Sequence, residues 1–157
     1  MNEAKSSLKN QVGSVLLEAL IAILIFSIGI LAIVGLQAAA VHASAEAKYR
    51  VDASFLAGQL VEQMRVSDRT PDKLKTNFAS PNGELYRAWR GANSRPEAGT
   101  VLATLPGAAA HPPVVTIAPS SQVQMAGNTV TITIYWKAPH EPVTNKPHRY
   151  ISVTQII

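Results

Sequence analysis

Few side chains in this sequence are placed to do chemistry, and their spacing excludes most of it. Four histidines, His42, His111, His140 and His148, are spread along the chain, and three of them stand beside proline. None forms an HExxH pair or another close ligand set, so they read as solvated loop side chains, with no metal ligand assigned. Cysteine is absent, which removes disulfides, thiolate metal sites and thiol nucleophiles. The serines lack a G-x-S-x-G context, no glycine-rich phosphate loop is present, and the carboxylates are scattered singles. Trp89 and Trp136 read as packing residues. No catalytic residue and no cofactor is therefore assigned. One group does demand an account: Glu18 lies in a stretch, residues 15–36, that is otherwise apolar or small except for Ser27. A carboxylate in a membrane-length helix costs roughly 2.5–3.5 kcal/mol even on permissive insertion scales.

That stretch is 22 residues long, enough to cross a hydrocarbon core of about 30 Å. It exceeds the apolar region of cleavable secretory signals, although "AAAVHASAEA" at 38–47 imitates such a cleavage site. Lys5 and Lys9 precede it and no lysine follows until Lys48, which places the N-terminus in the cytoplasm and the rest outside. Gly29 and Gly35 lie inside it; they fit both ordinary membrane-helix glycines and a site of close helix packing or melting.

The helix is expected to continue past the membrane. Residues 37–66 hold no proline, and Val41, Ala45, Tyr49, Phe55, Leu56, Leu60 and Met64 recur at steps close to three and four. Glu46, Arg50, Asp52, Gln59, Glu62 and Arg65 largely occupy other faces, so residues 37–67 form an amphipathic second half. Asp68 and Pro71 supply the stop, giving one helix of roughly 50 residues, about 75–80 Å long.

Residues 68–112 read as a loop-rich linker with one short helix around Glu84 to Arg90. Residues 113–157 read as strands. Val130, Ile132, Ile134 and Trp136 alternate with Thr129, Thr131, Thr133 and Tyr135, the period of a half-buried strand. "AGN" at 126–128 is read as a hairpin turn after a strand at Val123 to Met125. Tyr150 to Ile157 is read as a further strand, and Val114 to Ile117 as a short fourth. The expected fold class is α+β, with a small antiparallel sheet packed on the amphipathic half of the long helix. The 14 Lys and Arg against 10 Asp and Glu, net charge +4, are scattered, which argues against nucleic acid as a direct ligand.

"MNEAKSSLKNQVG" at 1–13, then Ser14, then "VLLE", then about twenty apolar residues, resembles the class III signal of type IV pilins and of type II secretion pseudopilins. "LLEALIAILIFSIGILAIVGLQ" and "ASFLAGQLVEQMR" at 53–65 are similar to the PilV group of minor pilins. The resemblance implies that 1–13 is a leader cut by a prepilin peptidase between Gly13 and Ser14. It implies that the same enzyme N-methylates Ser14 and that 14–36 is a retained transmembrane and assembly helix. It places Glu18 fifth in the mature chain, where that family's glutamate pairs with the N-terminal amine of a neighbouring subunit. A pair within one chain is the competing possibility, since Ser14 and Glu18 have the i, i+4 spacing of side chains on one helix face. Ser14 stands where major pilins usually have Phe, and Val12 replaces a frequent polar or basic residue.

The implied fold is the pilin fold, and the implied function is filament initiation and assembly, with adhesion, twitching motility or DNA uptake downstream. The implied partners are the peptidase, other minor pilins, the major pilin, the inner-membrane assembly platform and, before assembly, lipid. The implied location is the bacterial inner membrane with a periplasmic C-terminal domain, then the pilus. Two alternatives stand: a minor pseudopilin of a type II secretion system, and a periplasmic binding module or enzyme held by an uncleaved anchor.

Overall fold

The computed structural model describes residues 4–94, 97–119, 127–142 and 144–157, with side chains described from Gly13 onward. The chain divides into two units, Met1–Ser44 and Ala45–Ile157. Helix α1 (Ala4–Val66) contributes to both. No proline interrupts the first 70 residues, and Ala, Leu and Ile dominate the apolar stretch.

In the first unit every described side chain of α1, from residue 13 to 44, is exposed. Leu16, Phe26 and Leu31 are 63–70% exposed. A helix that is apolar all round needs lipid or other helices around it. Its most apolar 18-residue window has a mean hydropathy of 2.9, long and apolar enough to cross a membrane. Ser27, the polar interruption, donates its hydroxyl to the Ile23 carbonyl at 2.7 Å, so it carries no unsatisfied group into that segment.

In the second unit α1 turns Ala53, Leu56, Ala57, Leu60, Val61 and Met64 into the core, at helical spacing. Two of the expected apolar-face residues do not belong to it: Val41 is 67% and Phe55 is 72% exposed. Phe55 and Leu56 are adjacent, about 100° apart on a helix, and Leu56 lines up with Ala53 and Leu60. Phe55 is therefore turned out. Glu46 also departs from expectation, because its carboxylate is partly buried instead of standing on a solvent face.

Residues 68–112 are more ordered than a linker. Among the described residues three helices lie there: α2 (Pro71–Phe78), α3 (Glu84–Arg90) and α4 (Val101–Thr104). Pro71, expected only to end α1, also starts α2, since a first-turn position needs no N–H donor. Leu74 and Phe78, four apart, bury one side of α2; Tyr86 and Trp89, three apart, bury one side of α3. The indole of Trp89 donates to the Leu56 carbonyl at 3.0 Å, and the Tyr86 hydroxyl to the Pro113 carbonyl at 2.6 Å. Both large polar aromatics are thus buried with their donors satisfied.

The described strands form a three-stranded antiparallel sheet, ordered β1 (Val114–Pro119), β2 (Asn128–Trp136), β3 (His148–Ile156). Val130, Ile132, Ile134 and Trp136 of β2 are buried while the intervening residues are half-exposed. Val115 faces Ile132 and Ile117 faces Val130, so the inner faces of both strands join one core. A one-residue slip would turn all of these outward, which fixes the register. The expected strand at Val123 to Met125 lies outside the described residues. Asn128 is paired with Pro119 on β1 and Ile156 on β3, so it is not a turn residue; β1, beside β2 on the edge away from β3, is the stretch expected as a short fourth strand. The chain is α+β, with a long N-terminal apolar helix and a small antiparallel sheet.

Candidate functional site

Gly13, Ser14 and Glu18 all lie on exposed turns of α1 in the first unit. The helical spacing stacks Ser14 over Glu18, and Leu17, Ile21, Ala22 and Ile25 continue the same face. Among the described residues the Glu18 carboxylate has no hydrogen bond or ion pair. A Cβ at Gly13 would meet nothing within 4 Å, so the glycine is not required for packing in this chain. The three residues expected from sequence are therefore brought into one accessible segment, with the carboxylate one turn beyond Ser14.

A second constellation, in the Ala45–Ile157 unit, escaped sequence reasoning. His148 opens β3 directly opposite Trp136 on β2, and their rings stack at 5.7 Å between centroids. Its Nε2 lies 2.7 Å from Oε1 of Glu141 and 3.7 Å from Oε2 of Glu46. Glu141 is fixed from behind, its Oε2 accepting the Ala138 N–H at 3.3 Å. The Trp136 indole N–H reaches Oε2 of Glu46 at 3.5 Å, whereas Oε1 of Glu46 is buried with no partner among the described residues. The hydrogen bond from His148 holds the Glu141 carboxyl below its ordinary value; partial desolvation opposes this, and the His148 charge and the Ala138 N–H add to the lowering. His148 is thus not a solvated loop histidine. Glu141 and His148 are seven residues apart, but Glu46 stands on α1 and joins them only through folding, so no ligand-spacing motif marks the set.

Comparison with family models, curated proteins and solved structures finds no match.

Proposed function

We propose that the chain is a PilV-like minor pilin of a type IV pilus, made as a prepilin. The observation that carries this reading is a bare apolar helix bearing a carboxylate, Glu18, that has no partner among the described residues and lies a single turn after Ser14. The α+β second unit is compatible with a pilin-like layout. In this reading the helix resides in the inner membrane with the Ala45–Ile157 unit exported. The peptidase cuts after Gly13 and methylates Ser14.

The cut supplies a reason to keep Glu18. Without it, the carboxylate has no partner and its transfer into lipid is costly. With it, an ammonium is created at the helix start. An ammonium and a carboxylate that meet in a low-dielectric setting remove each other's penalty. A subunit whose Glu18 reaches a neighbour's amine is thereby drawn into axial register, and the surrounding helices cover the apolar surface of 15–36. The reading assigns binding and assembly to this chain and no catalysis. Its partners are the peptidase, the other pilins and the assembly platform, with adhesion, motility or DNA uptake as consequences of the filament.

Glu18→Ala tests the reading. The variant is expected to be processed normally and to be missing from sheared filaments; wild-type levels there would contradict it. A minor pseudopilin would share the same signal, so co-purification with pilus components as against secretion components separates those two.

A further inference from the structure

From the Glu46, Glu141 and His148 constellation we infer a binding site for one divalent transition-metal ion of the zinc type. This inference rests on the second unit alone and does not depend on the pilin reading. The donor atoms of the three residues, one imidazole nitrogen and two carboxylate oxygens, lie within 4.8 Å of one another. A tetrahedral ion with ligand bonds of about 2.0–2.2 Å separates its ligands by about 3.3–3.6 Å. The two separations from His148 Nε2, 2.7 and 3.7 Å, lie on either side of that range. The two carboxylate oxygens also lie within 4.8 Å of each other, so side-chain torsion adjustments bring three ligands onto one ion.

Charge and satisfaction point the same way. Two carboxylates face the His148 imidazole, and His140 also acts electrostatically on Glu141. A dication with neutral His148 neutralises both carboxylates. The buried Oε1 of Glu46 has no donor among the described residues, and a buried carboxylate oxygen without a partner is costly. Coordination of the Glu46 carboxylate, through one oxygen or both, relieves that cost. The ligands are already oriented: Trp136 stacks on the His148 ring, and the Ala138 N–H holds Glu141. Their side chains keep 15–39% exposure, which leaves an approach for the ion and a fourth position for water. The mixed nitrogen and oxygen set favours zinc-type ions over calcium or magnesium, which take oxygen ligands. Bound there, the ion ties helix α1, the loop before β3 and the first residue of β3 together.

The test is titration of zinc chloride into the full chain in detergent after chelator treatment and its removal, followed by calorimetry. The expected result is one zinc per chain, weakened at least tenfold in Glu46→Gln, Glu141→Gln and His148→Ala, with calcium giving no response. Zinc should also raise the thermal midpoint of the wild type and not of these variants. If His148→Ala fails to fold, the two near-isosteric Gln variants carry the comparison. Absence of zinc binding, variants that bind like wild type, or an equal response to calcium would each overturn the inference.

Discussion

The indole N–H of Trp89 donates to the main-chain carbonyl of Leu56 at 3.0 Å, fastening α3 to the inward face of α1. Both residues are buried, and the ring also lies 6.1 Å from that of Tyr86. Trp89→Phe removes the donor and leaves a small void. The expected loss is about 1–3 kcal/mol of stability in the Ala45–Ile157 unit, read from the fluorescence of Trp136 during denaturant unfolding. An unchanged midpoint would mean that α3 does not rest on α1 in this way.

Leu60 and Phe55 make a paired test of which face of α1 is covered. Leu60 is fully buried and Phe55 is 72% exposed. Leu60→Ala should cost about 2–5 kcal/mol, whereas Phe55→Ser should stay within about 0.5 kcal/mol of the wild type. Tryptophan fluorescence during urea unfolding reads both. A large loss in the Phe55 variant would place that side chain inside.

Gly91 follows α3 with φ of 94°, and a Cβ there would come within 2.5 Å of Thr100 Oγ1. Gly91→Ala therefore meets both backbone strain and a clash, and should destabilise by about 1–3 kcal/mol. Thermal melting checks it. Changing Thr100 to Ser should not restore stability, because both the backbone conformation and the Oγ contact remain.

How much of this was legible in the sequence depended on how local the cause was. Glu84 to Arg90 read as a short helix, and the structure places α3 there. The alternation in β2, a local pattern, identified its inner face. Helix α2 was missed, since Leu74 and Phe78 looked isolated until Pro71 was placed at a helix start and not only at a helix end. Phe55 was assigned to the core because periodicity alone does not decide between adjacent apolar residues; alignment with Ala53 and Leu60 does. Glu46 and His148 were assigned to solvent because their partners arrive through the sheet and the loop before β3, contacts that no local pattern encodes. Gly13 and Ser14 were singled out by the resemblance of their stretch to prepilin signals and Glu18 by its charge in an apolar run; the structure adds only their exposure on one helix.

Glu141 gives the second unit a pH dependence with a definite sign. Its carboxyl is held below the ordinary value of 4.5, chiefly by the hydrogen bond from His148. The folded state therefore binds the proton less readily than the unfolded chain. The stabilisation is complete above the ordinary value and disappears as pH falls through the lower, folded value. With chelator present, the stability gap between wild type and Glu141→Gln should narrow on acidification below 4.5. Denaturant melts at a series of pH values would show it; a gap that stays constant into acid would contradict the assignment.

The central claim is that Glu18 is kept because a cut creates an amine for it to meet. Intact-mass measurement of the chain, from the membranes of cells with an active prepilin peptidase, tests this most directly. The account predicts a species that begins at Ser14 and carries one added methyl group. A chain that still begins at Met1 in those cells would contradict it.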